Sequence, residues 1–474
     1  MSYALYVGRA LSGAGHAWLA GYGDEPSGHW LQVSPGRDHA PGATITVGVT
    51  PQADLPGRLS EIPQAARTAR HMGVNYSHYL GAPAPLTNGG VNEHGVAVRD
   101  VWSPSRPELV AMTPPDQTGP NYSDLARIVL ERARSAREGV EIIGALIAAH
   151  GHSSYGGNSH LIADAEEGWL VVEFAGGLGL WVAERLGPHD IRAARPGHVG
   201  LIAQEPDGEV LYSERFIETA QRLGWHVPGT PFDVNRVYGD GRGRRPGSVW
   251  IEEEMTRRAA RPGGLTLSDM IWAVATPRLT GDSAGYGQIV PLQPDRPAML
   301  RMMWHAPSGP VTTPLVPVFL GIDHVPPEYD RRRHLGRGES ARFVDRASEV
   351  TGEDAISEVP QGVVSTRAAI AVFKRLMHLA FQGGEPWVEE ISAHWRRVER
   401  GMAEELDDVR RSAEILIAAE APDLARRLLD EHVRTRLLRV LAEAEALAAG
   451  YEARLRAGPG LNMGAVPKGP DRIW

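Results

Sequence analysis

The spacing of apolar residues along this chain changes several times, and each change predicts a different kind of element. YALYV (3–7) and ATITVGV (43–49) are short β-rich runs, separated from their neighbours by YGDEPSG and SPGRDHAPG, whose Gly, Pro and Asp favour turns. NGGVNEHGVAVRDVW (88–102) reads as a tight turn feeding a strand. In residues 121–151 the pattern turns helical. Leu125, Ile128, Val129 and Ala133 keep the 3.6-residue period behind the cap candidates Ser123 and Asp124. Ser135 and Glu138 have the spacing of a capping box, so a second helix restarts there and ends near Gly151. SHLIADAEEGWLVVEFAGGLGLWVAERL (159–186) returns to strands joined by short turns.

From about residue 350 to 457 the chain becomes long amphipathic helices, TRAAIAVFKRLMHLAF among them, with charges of both signs on their polar faces. Strands, helices, strands and then helices predict an α+β protein with a C-terminal helical extension rather than a regular βαβ sheet. The boundary is placed between 345 and 346, giving a domain over 1–345 and an extension over 346–474. Phe373, Leu376, Phe381 and Trp387 form an apolar stripe expected to pack within the subunit; a homo-oligomer remains open. The basic loop GDGRGRRPGS (239–248) lacks phosphate-loop spacing and reads as a surface loop.

Composition narrows the chemistry. There is no cysteine among the 474 residues, which excludes a disulfide framework, a thiolate metal site and a cysteine nucleophile. The net charge of -9 argues against nucleic acid or an anionic membrane surface as partner. No apolar run approaches the roughly 18–20 residues that span a bilayer, and the first residues lack a secretory layout, so a cytoplasmic protein is expected. His150, His152 and His160 with Asp164 offer metal-ligand chemistry, but loop histidines are the simpler account, and no metal or cofactor is expected. No convincing nucleophile elbow is found: ALSGAG and PGSVW lack the G-x-S-x-G spacing and the strand-turn-helix context. Ser2, once Met1 is removed, would carry a hydroxyl beside a free α-amine, a nucleophile and a base on adjacent carbons. The turns TNGGVNEHG and YGGNSH could aim N–H groups at an oxyanion, or could simply need positive φ.

The ordered segments APAPLTNGGVNEHGVAVRDVWSPSRPELV, ERARSAREGVEIIGALI and YGGNSHLIADAEEGWLVVE, followed by SVWIEEEM, GLTLSDMIWAVATPRLTG and PLVPVFLGIDHVPPEY, resemble the cysteine-type dipeptidase and secernin family of N-terminal-nucleophile (Ntn) hydrolases. That resemblance implies a four-layer αββα sandwich with the nucleophile at the start of the first strand. It also implies peptide or amide hydrolysis, or acyl transfer, through an acyl-enzyme, with short peptides or amides as substrates. Ser2 stands where the family has its Cys. Asp24 keeps the family's acid and would orient the amine, Asn88 and Asn92 are candidate oxyanion donors, and Tyr22 and Arg195 are candidate substrate contacts.

The sequence also departs from that pattern. The family's basic residue and amide before the acid are replaced at Gly21-Tyr22-Gly23. Loss of the Cys and of that pair leaves a second expectation, a silent or repurposed member that binds a peptide or partner protein. A cleft rebuilt around His16, His29, Tyr22 and Asp24 is a third.

Overall fold

The computed structural model describes residues 2–23, 29–49, 55–76, 86–205, 207–280, 285–330 and 367–457. The expected 345/346 boundary lies outside them. Among the described residues, fourteen strands build two large sheets, every neighbouring pair antiparallel. They are β1 (Tyr3–Val7), β2 (Ala17–Gly23), β3 (His29–Ser34), β4 (His71–Tyr76), β5 (Leu86–Asn92), β6 (Ala97–Trp102) and β7 (Asn158–Ala163). They continue with β8 (Gly168–Glu173), β9 (Trp181–Leu186), β10 (Ile191–Ala194), β11 (Val210–Tyr212), β12 (Tyr286–Leu292), β13 (Met302–Ala306) and β14 (Val316–Phe319). The six-stranded sheet has the order β10-β1-β2-β12-β13-β14, and the eight-stranded sheet β11-β9-β8-β7-β6-β5-β4-β3.

The sheets pack face to face, β1 and β2 lying against β6 and β7. Helices α1 (Tyr122–Arg132) and α2 (Ala136–His150) cover the outside of the larger sheet. Helices α3 (Pro246–Ala259) and α4 (Leu267–Ala275) cover the outside of the smaller one. The result is an α+β, four-layer αββα sandwich. Strand alternation assigns each residue to a layer. On β7, His160 and Ile162 face the helices, while Leu161 and Ala163 face the opposite sheet. Trp169 and Val171 of β8 join Val98 and the α1–α2 stripe in one apolar cluster, so this layer has a core of its own. Full burial of each such side chain is worth about 1.5–3 kcal/mol.

The helical pair forms where its caps dictate. Asn121 caps α1: its side chain accepts from the Asp124 amide while Asp124 reaches back to the Asn121 N–H. The cap is therefore Asn121, slightly earlier than the side-chain pattern suggested, with Asp124 as its reciprocal partner. Ser135 caps α2 as expected, accepting from the Glu138 amide, and the helix stops at Gly151 with φ of 83°.

The C-terminal extension consists of α5 (Ala369–Gln382), α6 (Glu385–Ala418) and α7 (Pro422–Ala457), packed on one another and on β14 at the edge of the smaller sheet. Phe373, Leu376 and Phe381 are buried in that packing. Trp395 donates its indole N–H to the Thr312 carbonyl at 2.8 Å, and Glu399 accepts the Leu315 amide at 2.9 Å, which ties α6 to the sandwich. None of the described helices is long and apolar enough to cross a membrane.

Candidate active site between the sheets

The β1–β2 pairing sets Ala4 opposite Gly21, and the β2–β12 and β12–β13 pairings carry the same line through Gln288 to His305. Residues directly opposite in antiparallel strands share a face. A β-carbon built on Gly21 would lie 3.3 Å from Nε of Arg99, which belongs to β6 of the other sheet. This line therefore faces the interior between the sheets. Continuing the alternation of β1 back by one step puts Ser2 on the same interior face.

Arg195, directly after β10, is buried, and its Nη1 donates to the Ser2 carbonyl at 3.0 Å. The register Ala4 to Ala194 explains the meeting, because it brings the residue after β10 alongside the start of β1.

Deeper in, Arg99 is wholly buried. Its Nη1 donates to the Asn88 carbonyl (3.2 Å) and to the Asp100 carboxylate (2.8 Å), and its Nη2 donates to the Tyr22 carbonyl (3.1 Å). The guanidinium carbon sits 5.0 Å from the centre of the Tyr286 ring. His29 stacks between Tyr286 (4.7 Å) and Tyr76 (5.2 Å), and the Asn88 amide nitrogen lies 3.5 Å from His29 Nε2. Gln288 and His305 are fully buried beside this group. Among the described residues, neither the Gln288 amide nor either ring nitrogen of His305 has a hydrogen-bond partner. Burial, and then the nearby His29, pull the His305 pKa down to about 3, so the ring is neutral. An unpaired buried amide costs about 1–3 kcal/mol. Apolar side chains would fill an inter-sheet core more cheaply, so such a polar cluster marks a place for chemistry or binding.

The expected site residues separate on inspection. Ser2 and Arg195 meet directly. Asn88 is buried in the interior cluster and joined through Arg99 to Tyr22 of β2, the strand beside β1. Asp24 lies outside the described residues. Asn92 is not an oxyanion donor in this structure. Its amide nitrogen donates to the Leu130 and Ala133 carbonyls at the end of α1, and its oxygen accepts from the His94 and Val96 amides. It holds the β5–β6 turn against the helix. Tyr22 likewise leaves the site: strand alternation turns it to the outer face, where its hydroxyl donates to the Leu279 carbonyl at 3.1 Å. His16 is on that outer face too, its ring 4.4 Å from Trp18.

The glycine-rich turns answer to backbone geometry. Gly89 has φ of 118°, and a β-carbon there would lie 2.0 Å from the Val98 carbonyl oxygen; at Gly157 (φ 110°) it would lie 2.3 Å from that of Ser103. Of the histidines with metal-ligand spacing, His160 bonds Glu173 (2.7 Å) and the Tyr122 carbonyl (2.9 Å). Burial, the largest single effect, lowers its pKa, but the charge and hydrogen bond of Glu173, with Asp100 and the Tyr122 backbone, together outweigh it and raise the pKa. Asp164 caps the start of α2 and its own turn. Among the described residues no group of three or more acidic or imidazole side chains could hold a metal. In the basic loop, Arg244 pairs with Glu252 and Arg245 with Asp240.

Residues 77–245, about a third of the chain, match the model of Peptidase family C69. The match begins after β4 and so does not include Ser2. "Probable dipeptidase B" of Lactococcus lactis subsp. lactis (strain IL1403) is 33% identical over 113 residues, 24% of this chain and 23% of that protein. The chain thus matches under a quarter of the length of this curated relative. Among solved structures, a point mutant of conjugated bile acid hydrolase from Clostridium perfringens aligns at 10% identity with a TM-score of 0.33, covering 67% of this chain and 92% of that one. A second variant of the same hydrolase aligns at 11% with a TM-score of 0.30, at the same coverage. Likeness this low carries no argument; the fold stands on the strand orders and layers above.

Proposed function

With residues 77–245 forming a Peptidase family C69 region, we propose that the chain is a dipeptidase-like amidohydrolase in which Ser2, exposed by loss of Met1, is the N-terminal nucleophile. The observation that carries this reading is the hold of Arg195 on the Ser2 carbonyl. It holds the start of β1 alongside the end of β10, in the sheet that packs over the buried polar cluster.

The α-amine of Ser2 takes the hydroxyl proton as the oxygen attacks the substrate carbonyl. An unperturbed α-amine has a pKa of about 7.7–8.0 and is partly neutral near neutral pH, so it can act as this base. The oxyanion receives the Asn88 amide N–H and backbone N–H groups. The tetrahedral intermediate collapses, the protonated α-amine gives its proton to the leaving amine, and a seryl ester remains. Water, deprotonated by the same amine, hydrolyses the ester; an amine in place of water gives acyl transfer. Asp24 orients the α-amine. Arg99, from the opposite sheet, brings a guanidinium against Gly21, where the family's basic residue is missing. It acts as a positioning residue for Asn88 and β2. Short peptides or amides are the substrates, with no cofactor, and nucleic acid and membranes are not partners.

The departure at Gly21 and Tyr22, with Tyr22 turned to the outer face, favours a second reading, a member that binds a peptide or partner protein without turnover. A panel of dipeptides assayed for amine release separates the two. The hydrolase reading expects turnover that falls by at least about a thousandfold in Ser2→Ala with the fold intact. Saturable binding without turnover, unchanged in Ser2→Ala, supports the binding reading.

A further inference from the structure

A cavity of about 470 Å³ lies on the outer face of the smaller sheet, away from the inter-sheet site. Trp18 of β2 and Trp304 of β13 form its floor, the turn before α4 closes one side, and α6 forms the roof with Ala403, Leu406, Asp407 and Arg410. This volume is in the range that holds small-molecule ligands.

Its polar groups are poorly matched to one another. The side chain of Arg410 is only 12% exposed, and its Nε has no partner among the described residues. Its Nη2 touches the Met302 sulfur (2.7 Å), and its Nη1 reaches the exposed Asp407 only at 3.5 Å. Arg296 stands near it and is already paired with Glu414 at 2.6 Å. Burial, and then that neighbouring charge, push the Arg410 pKa down. A guanidinium held dry beside a second guanidinium is costly unless an anion joins it. Across the cavity His16 is 6% exposed, and among the described residues its Nε2 has no partner. Burial holds the pKa of this ring at about 4, so at neutral pH it is uncharged and Nε2 can accept a hydrogen bond, the ring's other bond going to the Ala14 backbone.

We propose that this cavity binds a small organic acid: its carboxylate on Arg410, a hydroxyl or N–H donated to His16 Nε2, and an apolar body over Trp18 and Trp304. A planar carboxylate fits the guanidinium fork, and the indoles supply the area. Because α6 provides Arg410 and the sheet provides the floor, the ligand would join the helical extension to the sandwich.

Calorimetric titration of the full chain with phenyllactate tests this, against phenylpropanediol, the same body with a hydroxymethyl group in place of the carboxylate. Saturable binding of phenyllactate is expected, at least about tenfold weaker for the diol, as loss of one charge-assisted contact requires. Arg410→Gln should weaken phenyllactate by a similar factor without lowering the melting temperature, and Ser2→Ala should bind like the wild type. Absence of saturable binding, equal binding of the diol, or undiminished binding in Arg410→Gln overturns the proposal. So does loss of binding in Ser2→Ala, which would move the site between the sheets. The diol comparison needs only the wild-type chain and decides the matter even if the variant does not fold.

Discussion

Nη1 of Arg195 donates to the carbonyl oxygen of Ser2 at 3.0 Å, so a residue 193 positions away holds the residue just before β1. A charge-assisted hydrogen bond of this kind is worth about 1.5–3 kcal/mol. If that bond sets the position of a nucleophile, Arg195→Ala should lower kcat/KM by about ten- to a hundredfold. Arg195→Lys should recover part of the loss. Steady-state kinetics on a dipeptide, with melting temperatures alongside, checks this; equal activity in all three proteins would remove Arg195 from the site.

Arg99 makes a stronger demand on the fold than on the reaction. Its two terminal nitrogens satisfy Asn88, Asp100 and Tyr22 from both sheets at once. Arg99→Met leaves the Asp100 carboxylate and the Asn88, Asp100 and Tyr22 carbonyls without this partner, and breaking a buried ion pair costs about 3–5 kcal/mol. Arg99→Lys keeps the charge but not the planar fork, so it should recover only a part. Urea unfolding at neutral pH measures both, and a loss below about 1 kcal/mol in Arg99→Met would show that the cluster does not depend on it.

Acid should weaken the protein through its buried histidines. Burial holds His16 at about 4 and His152 and His305 at about 3, against an ordinary value of 6.5. Their folded pKa values are depressed, so below 6.5 the unfolded chain binds more protons and stability falls as the pH drops. Each histidine contributes up to about 1.4 kcal/mol per pH unit in that window. Glu399 opposes them: burial raises it to about 7, and its contribution is full at low pH and lost as the pH rises from 4.5 through 7. The variant comparison isolates one term. In His305→Asn the dependence of unfolding free energy on pH between about 6.5 and 4.5 should flatten by roughly one histidine's share. An unchanged slope would mean His305 is not held neutral by the fold.

Much of this architecture was legible in the sequence. The 3.6-residue period marked α1 and α2, and Gly and Pro clusters separated the strands. What could not be read was the side of the sheet on which a residue stands. Asn92 and Tyr22 had the right residue types, yet Asn92 closes a turn against α1 and Tyr22 bonds the Leu279 carbonyl. Arg99, Gln288 and His305 come from strands far apart in the chain and meet only through the pairing of β2, β12 and β13 and the stacking of the sheets. Their one local signal is a charged or polar side chain inside an otherwise apolar strand, in AVRDVW, YGQIVPL and MMWHA. That signal does not say which of them face each other.

The central claim is that Ser2 acts as a free N-terminal residue. The intact mass of the untagged protein, with sequencing of its N-terminal peptide, tests this most directly. A chain that begins at Ser2 with an unmodified amine is the expected result. A retained Met1, or an acetylated Ser2, would contradict it, because the α-amine would then be absent or in the wrong place to take the hydroxyl proton.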